Sequence, residues 1–360
     1  MIKPVSQFLH ISNLLVSRVA LLYFKPLFIK TLSCFFLFFS ILSSQPAQSQ
    51  LNKQSIIDPA NQAKFRTSHM PYTAFDKLNH TILKIDNATL KVGFAPGKLD
   101  LSNQQILNWV TNSAEVVSKY YGQFPVNDAR VLIVPAQGKG VKTGQAFGYR
   151  GAAIRVFVGE KSDLNDLKKD WIAIHEMIHL ALPNTHQRHL WLAEGLSVYV
   201  ESISRVQAGQ LSEAFVWNGF MKSMPFGLPK EGDKGLDYTH TWGRTYWGGA
   251  IFCLLADIEI RQQTNNKMGL QDALIGLIKK GGNNERIWSI SEILEATDYA
   301  TGKKAVYEQY MKMYNTPMKP DLKKIWKDLG VTKVNGKIVL DNNAPLAKIR
   351  QAIFSPRKRS

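Results

Sequence analysis

The residues that could do chemistry begin with His175-Glu176-Met177-Ile178-His179. On a helix, residues four apart project from one face, so both imidazoles can reach a single cation about 2.0–2.1 Å from each nitrogen. Glu176 is rotated beside them, where a carboxylate can take a proton from an activated water. The segment 191–201 (WLAEGLSVYVE) reads as a second helix with Glu194, fifteen residues after His179, near its start. Two His and one Glu form a ligand set that holds one zinc ion and leaves a fourth position open. Glu201 is seven residues after Glu194, on the same helical face, and is the candidate to accept a hydrogen bond from a ligand ring.

The elements that must position these groups follow from periodicity. Residues 81–94 alternate apolar and polar around Asp86-Asn87, the pattern of a hairpin. Ser102 offers an N-cap to a helix with Ile106, Trp109, Val110, Ala114, Val117 and Tyr121 on one face, ended by Gly122. Residues 129–134 and 152–158 read as strands, with a glycine-rich loop over 137–145 between them. That loop lacks Gly-Lys followed by Ser or Thr at the required spacing, so it is not a phosphate loop. From Asp163 onward the period is helical, over 164–182, 190–207, 246–263, 269–280, 291–297 and 302–314. Pro183 closes the segment that carries the two histidines. Strands with one helix, followed by a mainly helical half, make an α+β protein.

Composition bounds the setting. The chain has 360 residues, 45% hydrophobic and 20% charged, an ordinary globular balance. Residues 1–49 differ: they hold Lys3, Arg18, Lys25 and Lys30, no acid, an apolar run over 31–43, and small residues at Ala47 and Ser49. This pattern predicts a signal peptide cleaved near Ser49, hence export to a periplasmic or extracellular space, with an uncleaved membrane anchor as the alternative. After cleavage only Cys253 remains, so the fold must hold without an internal disulfide. The formal charge of +17 suits anionic membrane or envelope surfaces. Its clusters, Lys279-Lys280, Lys303-Lys304, Lys323-Lys324 and Arg357-Lys358-Arg359, fall on amphipathic helices or the C-terminus and specify no nucleic-acid partner.

The pairing of HEMIH with WLAEGLSVYVE resembles the gluzincin metallopeptidases, the thermolysin-like clan. Residues 121–125 (YGQFP), 245–250 (TYWGGA), 255–261 (LADIEIR) and 270–272 (LQD) are similar to the glycyl aminopeptidase family and its leukotriene-hydrolase-like relatives, over about residues 80–315. The resemblance implies a sheet lobe over 80–162, a helical lobe over 163–316 and one zinc ion between them. A polar, irregular linker at 50–79 precedes these lobes, and a helical, basic extension at 317–360 follows. It implies peptide or protein substrates, with Glu176 as general base and Tyr246 donating to the oxyanion. His240 or Tyr238 could fill that last role instead, as a histidine does in thermolysin-like enzymes. The stretch 148–159, with Gly148, Gly151, Ala152 and Ala153, falls where the clan keeps an edge strand that pairs with extended substrate, with an ordinary internal strand as the other reading. A Gly-x-Met-Glu-Asn stretch, whose Glu holds a free amine in the leukotriene-hydrolase type, does not precede His175. Free N-termini and internal bonds therefore both stay open as targets. The alternative is a peptide- or envelope-binding module that keeps the fold without turnover.

Overall fold

A computed structural model describes residues 62–357, and the expected signal segment lies outside them. The chain first forms a short helix α1 (Tyr72–Phe75), then the hairpin β1 (His80–Ile85) and β2 (Ala88–Phe94). Asp86 takes the left-handed conformation at the hairpin turn, φ 48°, one that Asp and Asn tolerate better than most residues. Helix α2 (Asn103–Tyr121) follows, with Ser102 and Gln105 in a reciprocal capping box and Gly122 at φ 80° ending it. Three strands complete the sheet: β3 (Asp128–Ala136), β4 (Val141–Phe147) and β5 (Ala153–Gly159). Their order is β1-β2-β3-β5-β4, with β2, β3 and β5 parallel and both edges antiparallel.

This order corrects one expectation. The stretch 148–159 is no edge: its strand β5 is paired on both sides, to β3 and to β4. The edge on that side is β4, most of which falls in the segment 137–145 expected to be a loop. An edge strand half in solvent needs no apolar run, so Lys142, Thr143, Gly144 and Gln145 disguise it as a loop.

Both faces of the sheet are covered. Val131, Ile133, Ile154 and Val156 pack with α2 in the main core, while Leu132, Val134 and Ala153 face Phe65, Met70, Tyr72 and Phe75. Burial on both faces explains why β3 reads as a continuous apolar run. It also means that residues 65–75, expected to be irregular linker, are packed against the sheet. Arg155 fastens them: its guanidinium is 4% exposed and donates to the carbonyls of Phe65, Thr67 and His69 at 3.3, 2.7 and 3.2 Å.

The second lobe is helical, which gives the α+β class. The expected single helix over 164–182 is two, α3 (Leu164–Lys169) and α4 (Ile172–His179). Asp170 breaks it by taking an extended conformation and accepting hydrogen bonds from the amides of Ile172 and Ala173 at 2.9 and 3.0 Å. This caps α4 and re-aims it. Next come α5 (Leu190–Gln207), α6 (Glu213–Ser223), a π-helical turn at Gly243–Gly248, α7 (Gly249–Gln263), α8 (Leu270–Lys279), α9 (Ile290–Thr301) and α10 (Ala305–Met313). The last stretch adds α11 (Leu322–Leu329), a hairpin of β6 (Val331–Val334) and β7 (Lys337–Leu340), and α12 (Ala347–Phe354). Trp326 and Phe354 pack edge-on against Trp217, at 5.8 and 5.4 Å between ring centroids. This C-terminal stretch therefore joins the core, and it contains a hairpin as well as helices. Cys253 is a buried free thiol. Among the described residues, no helix is long and apolar enough to cross a membrane.

Arg155→Met should cost about 2–3 kcal/mol, because three carbonyls, that of Phe65 fully buried, lose a charged donor. Urea denaturation checks the loss, and limited proteolysis should then cut first near residues 65–70.

Candidate metal centre

Helices α4 and α5 bring His175, His179 and Glu194 together, and these three could hold a metal ion. Their Nε2, Nε2 and Oε2 atoms form a nearly equilateral triangle: 3.2 Å between the two nitrogens, and 3.3 and 3.5 Å from His175 and His179 to the carboxylate oxygen. A tetrahedral ion with bonds of 2.0–2.1 Å needs ligand separations of about 3.3 Å, so this donor set fits zinc in both chemistry and spacing.

The charges agree with that geometry. Burial raises the Glu194 carboxyl, but His179 and His175 outweigh it and hold the group well below the usual carboxylate range. Burial lowers His179, yet the carboxylates of Glu194 and Glu176 raise it overall. Glu176 is pushed up by burial and by Glu194, against the pull of both histidines and a hydrogen bond from the Ala146 amide. The last contact comes from edge strand β4. Gly144 lies so close that a Cβ there would sit 2.4 Å from Cγ of Glu176.

The outer contacts differ from expectation at Glu201. Seven residues place it on the same face as Glu194 but about 10 Å further along α5. There it pairs with Arg205 at 2.8 Å and accepts from the Ser202 hydroxyl at 3.0 Å. The contact to a ligand ring is made instead by Ser197, whose Oγ is 3.2 Å from Nδ1 of His179. Ser197 is one turn from Glu194, near enough to reach the ring; that spacing was its only signal in the sequence. With Nε2 turned to the ligand triangle, Nδ1 is left to donate to this hydroxyl. His175 Nδ1 is buried with no hydrogen-bond partner, and the Trp171 ring stands edge-on to this imidazole at 5.3 Å.

Tyr246 meets the site from the π-helical turn. Its hydroxyl is hydrogen-bonded to Glu194, and burial together with the carboxylates of Glu194 and Glu176 pushes its pKa up, keeping it a donor. Tyr238 and His240 are not brought in. Both side chains are exposed, and neither hydrogen-bonds to the three ligands. Asp237, just before Tyr238, turns inward instead, accepting from His189 Nδ1 (2.9 Å), Trp191 Nε1 (2.8 Å) and the Tyr310 hydroxyl (2.8 Å). These bonds fix the first turn of α5, which carries Glu194. Across the site, Asn284 ties the lobes: its amide donates to the Leu180 carbonyl at 3.1 Å, and its side chain to that of Phe147 at 2.9 Å. No pattern in the sequence marks Asp237 or Asn284, because their partners are tens to more than a hundred residues away.

Comparison with known proteins adds a limited likeness. No family profile matches the chain, and no curated protein matches it. Among solved structures, an M1 zinc metallopeptidase from Deinococcus radiodurans aligns over 68% of this chain and 53% of its own, with 13% identity and a TM-score of 0.44. A two-domain M1 zinc metallopeptidase bound to L-arginine aligns over the same shares, with 14% identity and a TM-score of 0.45. An aminopeptidase N family protein from Idiomarina loihiensis covers 76% of this chain and 49% of its own, at 12% identity and a TM-score of 0.44. The chain spans about half the length of each of these proteins.

Ser197→Ala should weaken zinc binding by about 10–100-fold, whereas Glu201→Gln should leave it at the wild-type value, as read by chelator competition. The same titration should show zinc affinity falling as pH drops. His179 holds its proton to a higher pH than a free histidine at ~6.5, so the competition should begin earlier than an ordinary imidazole would give.

Proposed function

We propose that this protein is an exported zinc metallopeptidase that hydrolyses peptide bonds. The observation that carries the reading is the ligand triangle of His175, His179 and Glu194 with a second buried carboxylate, Glu176, beside it and a tyrosine hydroxyl against it. A structural metal site has no need of a free acid and a phenol beside its ligands; a hydrolytic one uses a base for the water's proton and a hydrogen-bond donor for the developing oxyanion.

Each residue then has a task. When bound, zinc supplies Lewis acidity that polarises a substrate carbonyl and lowers the pKa of water toward ~7. Glu176 takes the proton of the attacking water on its carboxylate and returns it to the departing amine. Transfer of that kind is most efficient when donor and acceptor are closely matched. The Tyr246 hydroxyl donates to the carbonyl oxygen as negative charge develops there, exchanging its bond to Glu194 for one to substrate. Strand β4 holds Glu176 from behind through Ala146 and leaves room for it by having no side chain at Gly144.

Export rests on the character of residues 1–49, with a retained membrane anchor as the other outcome. Among families, the reading falls nearest the gluzincins of glycyl aminopeptidase type, on the motifs around His175, Glu194 and Tyr246.

The test is a mixed peptide library with the zinc-loaded protein. Glu176→Gln should keep its zinc and lose about 10²–10⁴ in turnover. Tyr246→Phe should lower kcat by about 10²–10³ with little change in KM. Gly144→Ala should also lower kcat at full zinc content, through the displaced Glu176. Zinc-loaded wild type that cleaves nothing, indistinguishable from Glu176→Gln, would overturn the reading in favour of a binding module. Loss of single N-terminal residues would assign an aminopeptidase, and internal cuts an endopeptidase.

A further inference from the structure

Tyr246 is the inner member of a row of aromatic rings that leads away from the ligand triangle. The Trp242 ring, one turn earlier, lies 6.3 Å from it between centroids and tilts by 32°. The Phe226 ring follows at 5.9 Å from Trp242, tilted by 55°. Phe226 is 49% exposed.

An exposed phenylalanine on a loose loop needs no explanation. This one is held rigidly. It sits in the short 3-10 turn Met224–Gly227, which packs backbone to backbone on the π-helical turn. A Cβ at Gly243 would lie 2.2 Å from the Phe226 carbonyl oxygen, and one at Gly227 would lie 2.3 Å from the Gly248 nitrogen. Arg244, 3% exposed, clamps the same turn by donating to the Gly227 carbonyl at 2.6 Å while paired with Asp233 at 2.8 Å. Three glycines and a buried ion pair thus fix an apolar ring half in water, at the end of a row that begins on Glu194.

We infer that Phe226 and Trp242, with Tyr246, form a specificity subsite that takes an aromatic or large apolar side chain of the peptide substrate close to the bond being cut. The inference rests on the peptidase reading, since it places the row beside the scissile bond. Two rings in tilted contact offer a substrate ring the offset and edge-on geometries that aromatic groups prefer. At the outer end of the row Asp233 is spent on Arg244, so it offers no free counter-charge to a basic substrate side chain. Rigid placement adds to selectivity, because little ordering remains to be done when the side chain docks.

The experiment uses the full zinc-loaded protein and matched peptides with Phe, Ala or Lys at the positions flanking the cleaved bond. Wild type should favour Phe over Ala at one position by on the order of tenfold in kcat/KM. Phe226→Ala and Trp242→Ala should bring that ratio toward one, chiefly through KM, and Phe226→Leu should restore most of it. A preference for Lys, or a Phe-to-Ala ratio untouched by either variant, would overturn the subsite and leave the peptidase reading standing. If wild type cleaves none of the peptides, the peptidase reading fails instead, and the subsite is read from binding to zinc-loaded Glu176→Gln by calorimetry. Tighter binding of the Phe peptide, lost in Phe226→Ala, supports the subsite; equal binding of Phe and Ala peptides overturns it.

Discussion

The ring nitrogens of His175 and His179 and a carboxylate oxygen of Glu194 are packed within 3.2–3.5 Å of one another, largely out of solvent. Left to themselves, two imidazole lone pairs and a carboxylate at that distance repel one another or compete for a shared proton. The raised His179 and lowered Glu194 register the proton solution to that problem, and a divalent cation is the other. Either way, the surrounding fold must hold the three atoms against their own electrostatics, and much of the scaffold can be understood as meeting that demand.

The demand falls on two helices. Asp170 ends α3 and starts α4, so that His175 and His179 face α5. Asp237 gathers three donors from three elements and pins the start of α5 near Glu194. Further along, a Cβ at Gly195 would lie 2.3 Å from the Gly249 backbone, so α5 and α7 meet with no side chain between them. That close approach brings the π-helical turn, and Tyr246 with it, onto Glu194. A turn with an extra residue re-aims the side chains that follow it, which is why such turns recur at functional sites.

The sheet contributes less obviously. Its covered faces make it stiff, and its exposed edge β4 is the part turned toward Glu176. Asn284 fixes that edge to the end of α4 through one backbone and one side-chain bond. Glu176 is carried by α4 between the two histidines, while its carboxylate is held from the far side by strand β4. A disturbance of the strand should therefore move that carboxylate more than it moves His175, His179 and Glu194.

The amino-acid sequence by itself determined the local part of this design. Residues four apart on one helix must share a face, so His175 and His179 were legible at once, and Glu194 followed from one more helical segment. The caps at Ser102 and Gly122, the hairpin at Asp86 and the α+β order are likewise set by neighbours within a few residues. What only the tertiary structure decided depends on contacts between distant segments. Glu201 shares the helical face of Glu194, but the helix rise carries it away from the ligand rings to Arg205, while Ser197 reaches His179. Strand β5 has the composition of any buried strand; which strand becomes the edge is settled by pairing, and that role fell to β4. The packing of residues 65–75 behind the sheet and the inward turn of Asp237 beside exposed Tyr238 and His240 have the same cause. Periodicity fixes which side of an element a residue occupies, and only the assembled fold fixes what stands opposite.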